Sequence, residues 1–360
     1  MTPKSQLLAC IHGRDVGSPV YVPNLSLWHD WHAGRGTLPE EWQGCSLAQV
    51  TRALGAPIWL TPRCYRIKRN GAQRQVRKRN GERVIRHLAP SGTLVERWIL
   101  GPDGDWWQTE YPVKSVDDLA VLHDIISRRT YVLNASQANA LAAEVGERGV
   151  VALELPRRPF AQLCLEWLGW TDGLMLLMDA ADLVGEVLAA LEGKIQGLVA
   201  EVARLPFDVV YSPDNLDAQF ISPGVFNQYL AGSYRASAEI LHAHGKRFLT
   251  GTGGPIRRLL APLAATGVDG IDGISGPPQS DATLAEARAL TRPDFLLWGG
   301  IPQDALLPAC SQADFEASVR RAAAEALGAG AVLVGIADRV PVDADLGRLR
   351  DIPVLLDPDR

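Results

Sequence analysis

The chain reads as an α/β protein of the (β/α)8 TIM-barrel class, and three observations predict it. Eight short apolar runs, each bounded by turn-forming residues, recur along the sequence. Helical periodicity separates most of them, and strand–helix alternation builds a parallel sheet that eight units close into a barrel. The third observation is length: 360 residues, 47% apolar and 21% charged, can bury a large core and exclude a disordered chain. A single barrel domain spanning 1–360 is the expectation, with a doubly wound open sheet as the competing architecture.

The eight runs lie at Val20–Pro23, Ile58–Leu60, Val150–Leu153, Val209–Tyr211, Arg247–Thr250, Val268–Ile271, Phe295–Trp298 and Val332–Gly335. Among the intervening segments, Ala181–Leu205 is long and rich in Leu, Ala, Val and Glu, a helix by pattern. Gly224–His244 follows Pro223, a favoured first-turn residue. Asp281–Leu290 and Asp314–Leu327 each open on an acid able to cap a helix. One segment, 63–112, departs from the alternation. Asn70-Gly71, Asn80-Gly81 and Pro102-Asp103-Gly104 are turn signals, and they predict a β-hairpin insertion after the second strand. Ten Lys or Arg fall between Arg63 and Arg86 against one acid, Glu82. That excess suits either a basic flap for an anionic ligand or a solvated hairpin with shielded edges.

Composition narrows the function. A formal charge of −5 argues against general nucleic-acid binding. The five cysteines are scattered without a CxxC pair, so neither a disulfide framework nor a zinc knuckle is indicated. The amino-terminal text MTPKSQLLACIHGRD lacks the apolar stretch of a signal peptide. No run approaches the roughly 20 apolar residues that span a bilayer. A cytoplasmic protein without membrane or nucleic-acid partners is expected.

Barrels of this class place their chemistry at the carboxyl-terminal ends of the strands, so the residues after each run are the candidates. Asp214, Asn215 and Asp217 follow the fourth run. Carboxylates beside an amide can orient a substrate, move a proton or hold a cation, and equally can cap and turn the chain. Thr250-Gly251-Thr252-Gly253-Gly254 offers close backbone approach and N–H groups for an anion, or simply a tight turn. Asp272 adds a carboxylate after the sixth run, whereas Asp281 reads as a helix cap. His29, His32 and Arg35 crowd the segment after the first run, where two histidines three apart can meet one ligand or pack among aromatics. Trp298 and Gly299 offer an apolar face and close approach to a flat ligand. His242 and His244 sit at the end of a helix, where the dipole accounts for them.

Six motifs in order carry a resemblance: LLACIHGRDVGSPVYVP, GTLPE, EYPVKSVDDL, ISPGVFNQYL, GVDGIDGISGPPQSD and LWGGIPQDAL. Over nearly its whole length the chain resembles the uroporphyrinogen decarboxylase-like superfamily, which includes methylcobalamin:coenzyme M methyltransferases and O-demethylases. The resemblance implies an (α/β)8 barrel with a deep site at the carboxyl-terminal rim, and often a homodimer. In the decarboxylase branch an Arg-Gln-Ala-Gly-Arg loop holds substrate carboxylates; here Trp31-His32-Ala33-Gly34-Arg35 keeps only the second arginine. In the thiol methyltransferase branch, His-x-Cys and a later Cys bind zinc. The matching positions are Thr250, Thr252 and Asp338, a set ill suited to zinc. Asp338 remains a candidate acid, with Arg339 beside it able to keep it ionised. The resemblance therefore implies methyl transfer between a small substrate and a corrinoid (cobalamin) on a carrier protein. Non-oxidative decarboxylation using Arg35, or a barrel kept for binding alone, are the alternatives.

Overall fold

The structure, a computed structural model, describes residues 1–14, 16–102 and 104–356. In chain order its strands are β1 (Val20–Tyr21), β2 (Ile58–Leu60), β3 (Tyr65–Arg69), β4 (Gln73–Arg79), β5 (Glu82–Ala89), β6 (Gly92–Leu100) and β7 (Trp106–Glu110). They continue as β8 (Arg129–Leu133), β9 (Gly149–Glu154), β10 (Val209–Leu216), β11 (Arg247–Thr252), β12 (Gly270–Ile274), β13 (Leu296–Ile301) and β14 (Val332–Ile336). Eight of them form one curled parallel sheet in the order β1-β14-β13-β12-β11-β10-β9-β2. This is a TIM-like arrangement, with one departure from the expected closed ring. Among the described residues no ladder joins β1 to β2. Proline bounds both short strands, Pro19 and Pro23 on one and Pro57 and Pro62 on the other, and a residue without an N–H cannot extend a ladder.

Period-2 alternation divides the sheet's side chains into two layers. Val20, Val22, Val150, Ala152, Val209, Leu249, Leu296 and Leu333 point inward and pack with Leu7, Cys10 and Ile11 of the helix Pro3–Ile11. The alternate set, including Val210, Phe248, Ile271, Leu297 and Val334, packs outward under the surrounding helices. The inward layer fills the barrel below its mouth, which forces any ligand to the carboxyl-terminal end.

Several helices start elsewhere than the sequence suggested. The stretch after Pro223 forms two helices, Pro223–Tyr229 and Ala231–His242. Thr283, not Asp281, caps Leu284–Ala289, because a capping box with Glu286 satisfies the first turn reciprocally. Ser311, not Asp314, caps Gln312–Ala326. No helix among the described residues is long and apolar enough to cross a membrane.

Strands β4–β7 form a separate antiparallel sheet in sequential order. Its first hairpin turns at Asn80-Gly81, where φ values of 50° and 77° suit the tight turn that matches strand twist. Asn70-Gly71 does not close a hairpin: β3 pairs instead with β8, outside the 63–112 segment. Asp103, part of the third turn signal, lies outside the described residues. One face of the β4–β7 sheet buries Ile85, His87, Leu94 and Glu96, while every residue of β4 is exposed.

Candidate functional site

Two neighbouring cavities occupy the barrel mouth. The deeper one, about 340 Å³, is walled by the segments after β1 and β2 and by Trp59, Glu154, Tyr211, Asp272 and Trp298. The wider one, about 560 Å³, lies over the ends of β10–β14, with Trp98, Trp106, Trp107 and Gln108 of the antiparallel sheet along one side. Both fall within the size range of small-molecule sites.

Strand parity builds the deeper pocket. In β10, Tyr211 shares the inward side with Val209, and in β12 Asp272 lies opposite Gly251 of β11 and Trp298 of β13. Two glycines make the room. A Cβ on Gly251 would stand 2.3 Å from the Tyr211 hydroxyl, and one on Gly335 would stand 2.5 Å from Trp298 Nε1. The indoles of Trp59 and Trp298 meet edge to face with centroids 4.7 Å apart. Their polar edges are used inside the protein: Trp298 Nε1 donates to Val22 O at 3.0 Å, and Trp59 Nε1 to Thr61 Oγ1 at 3.1 Å. Burial pushes the Asp272 carboxyl well above its ordinary range, with repulsion from Asp338 adding to it. The Tyr211 phenol is raised as well, first by burial and then by the charge of Asp272.

Charge at the mouth is organised in pairs. Arg63 binds Glu154 through Nη2 at 2.7 Å and Nε at 3.0 Å, and Arg157 binds Glu166 at 3.0 Å. Arg339 reaches Asp105 at 2.6 Å and Asp338 at 3.5 Å. Arg339 was expected to hold Asp338 ionised, but its closer partner is Asp105. Partial burial raises the Asp338 carboxyl, Arg339 opposes that rise, and Asp105 reinforces it. Asp272 has no cationic partner within ion-pair distance among the described residues.

Of the residues singled out from sequence, Asn215, Thr252, Asp338 and Arg339 wall the wider cavity and Asp272 and Trp298 the deeper one. Asn215 and Asp338 both adopt positive φ, 52° and 59°, a conformation that concentrates where the chain is held for a purpose.

The others lie elsewhere, each for a definable reason. Asp214 points outward from β10 into a sealed network. Its carboxylate accepts from Arg158 N–H and Tyr234 Oη, both at 2.6 Å, and lies 3.2 Å from Thr250 Oγ1. Thr250, also outward, donates to Ser212 O at 3.0 Å. The Arg158 side chain is fully buried and bonds Ser237 Oγ at 2.6 Å and Pro156 O at 3.2 Å. Asp217 accepts from Gln219 N in its own turn, at 2.7 Å. The Thr250–Gly254 run is no anion loop, because side chains already occupy its hollows. Asn215 fills the space over Gly253, and Asp217 the space over Gly254. The N–H groups of Ile256 and Arg257 at the following helix bind Asp281 at 2.6 and 2.9 Å.

The cluster after β1 disperses in the same way. His29 bonds Cys45 O at 2.9 Å, while His32 spans Thr37 Oγ1 and Val342 O at 2.8 and 2.9 Å. Arg35 is exposed and stacks on Trp31 at 3.1 Å, away from both cavities. Gly299 takes φ 142°, and a Cβ there would stand 2.0 Å from Ile274 O, so it serves strand packing. His242 meets Asp269 at 2.8 Å, a contact stronger than a helix-end dipole alone.

Sequence reasoning missed Trp59, Glu154 and Tyr211. The signal was available: Glu154 ends β9, Trp59 and Tyr211 lie within apolar runs, and Tyr211 shares parity with Val209. Zinc does not fit the three matched positions. Thr252 Oγ1 donates to Leu216 O at 2.6 Å and Thr250 faces outward, so neither hydroxyl joins Asp338. Among the described residues no cluster of three or more His, Cys, Asp or Glu is disposed to hold a metal.

No protein-family profile matches the sequence, and no curated protein matches it. Among solved structures, a methyltransferase from Methanosarcina mazei superposes with a TM-score of 0.63 at 14% identity, covering 99% of each chain. A D-psicose 3-epimerase from Clostridium cellulolyticum H10 superposes with a TM-score of 0.39 at 13% identity, over 63% of this chain and 83% of that one. The first likeness establishes a shared fold across the full length.

Proposed function

We propose that this chain is a methyltransferase that moves a methyl group between a small methylated substrate and a corrinoid carried on a partner protein. The observation that carries the reading is the divided mouth. A pocket sized for a small molecule sits beside a wider, indole-walled cavity. The full-length structural neighbour, a methyltransferase, supports the same reading.

Trp98, Trp106 and Trp107 suit a flat macrocycle brought by a partner. No histidine is among the residues walling either cavity, so the chain offers no imidazole ligand there. When bound, the corrinoid supplies the metal centre that takes or gives the methyl group. The chain's own residues do the rest. Trp59, Tyr211 and Trp298 confine the substrate against Asp272. A heteroatom that loses a methyl cation falls by one unit of charge. Asp272 can answer that change by giving a proton to a departing oxygen or by having balanced a cationic nitrogen beforehand. The carboxylate-holding alternative has little to work with, since Arg35 is stacked on Trp31 and the mouth arginines are paired to acids.

The test adds methylcobalamin or cob(I)alamin to the purified chain and screens methoxylated and N-methylated compounds by corrinoid absorption. A spectral change with at least one compound, lost in Asp272→Ala, is expected. Unchanged spectra across the panel overturn the proposal.

A further inference from the structure

We infer that the deeper pocket is an aromatic cage for a small organic cation bearing methyl groups on nitrogen, held by Trp59, Tyr211 and Trp298 above Asp272. The inference rests on the methyl-transfer reading and narrows its substrate class. Four observations carry it. First, three aromatic rings wall one cavity of about 340 Å³, and the walls include Glu154 and Asp272 but no Lys, Arg or His. Second, the indole N–H groups of Trp59 and Trp298 are both spent on protein acceptors, which leaves their ring faces as what they can offer a ligand. An aromatic face attracts cations through its quadrupole, and indole does so best.

Third, two other tryptophans of the mouth, Trp98 and Trp106, already hold a cation. Arg83 lies 5.0 Å from the Trp98 ring and 4.5 Å from that of Trp106, whereas no Lys or Arg stacks on Trp59 or Trp298 among the described residues. Fourth, Asp272 is only 7% exposed and has no counter-ion among the described residues, while Glu154, Glu166 and Asp105 each have an arginine. Ionising a buried carboxyl without a partner is costly, and an incoming ammonium offsets that cost. A neutral ether or an anion would leave it in place.

Binding to the full-length protein by isothermal titration calorimetry tests this, using choline and its uncharged isostere 3,3-dimethylbutan-1-ol. Choline is expected to bind at least about tenfold more tightly than the isostere, because the two differ only in charge. Trp59→Leu and Asp272→Asn should each weaken choline by about five- to thirtyfold and leave the isostere unchanged. Circular dichroism confirms that the variants fold, and Trp59→Phe should recover part of the loss. Equal binding of the two probes, no binding of choline, or choline binding indifferent to both substitutions overturns the inference. The corrinoid assay fails or succeeds separately. Cation binding without methyl transfer would sink only the functional reading, and transfer from neutral ethers without choline binding would sink only the cage.

Discussion

Asp214 and Asp272 lie on β10 and β12, with β11 between them, and their surroundings are opposites. Asp214 is sealed behind the sheet, where its oxygens meet a backbone N–H, a phenol and a threonine hydroxyl. Asp272 looks into the barrel, where no cation answers it and Asp338 repels it. Both are buried carboxylates at the rim of one sheet, so neither residue type nor height along the strand distinguishes them. Parity does. An outward acid is absorbed by the helix layer and becomes part of the architecture. An inward acid at the mouth is left for a ligand to complete.

The contrast can be broken in order of effect. Asp214→Ala orphans the buried Arg158 N–H and leaves the Tyr234 hydroxyl only a long contact to Thr250 Oγ1 at 3.3 Å. Urea unfolding should register a loss of about 3 kcal/mol, since each stranded donor costs about 1–3 kcal/mol. A loss below about 1 kcal/mol would mean that the network is not the strut described. Gly251→Ala comes next. Its new methyl would occupy the space of the Tyr211 hydroxyl, and overpacking of this sort costs about 1–3 kcal/mol. Unchanged stability together with unchanged choline affinity would show that Tyr211 is not held by that gap.

Asp272→Asn sharpens the comparison because its sign is reversed. The unfolded carboxyl ionises near pH ~4, but in the folded chain burial holds the proton to higher pH. The folded state therefore loses stability as pH rises through the interval between the two values. Asparagine removes that penalty. Its melting temperature should exceed the parent's at pH 7, and the advantage should vanish below about pH 4. A variant that melts earlier than the parent at pH 7 would place Asp272 in the structural class with Asp214. The smallest effect belongs to Arg35→Ala, which removes one exposed stacking contact. Its stability should change by no more than about 1 kcal/mol, with turnover in the corrinoid assay unaltered. A large drop in turnover would return Arg35 to the site.

These two acids also mark how far sequence reading reached. Every one of the eight apolar runs overlaps or adjoins a barrel strand, because short β-rich segments between breakers have few other options. The mouth residues Asn215, Thr252, Asp272, Trp298, Asp338 and Arg339 were also nameable, since each follows or ends one of the apolar runs. What was illegible is occupancy. The glycines of Thr250–Gly254 invite a ligand on paper, yet Asn215 and Asp217 arrive there from the adjacent turn. Likewise Asn70-Gly71 signals a hairpin, but the partner of β3 is β8, some sixty residues on by the Arg69–Arg129 pairing. Local patterns announce a bend or a gap; only distant parts of the chain decide what fills it.

The break in the ladder between β1 and β2 bears directly on the cage. Pro23–Ser26, after β1, and Trp59–Pro62, at the end of β2 and beyond it, both wall that pocket. Backbone ladders tie every other adjacent pair around the ring, whereas among the described residues none ties this one. The pocket thus behaves like a spring collet rather than a drilled socket. Asp272, on β12 with a paired neighbour on each side, lies on the laddered part of the ring away from that seam.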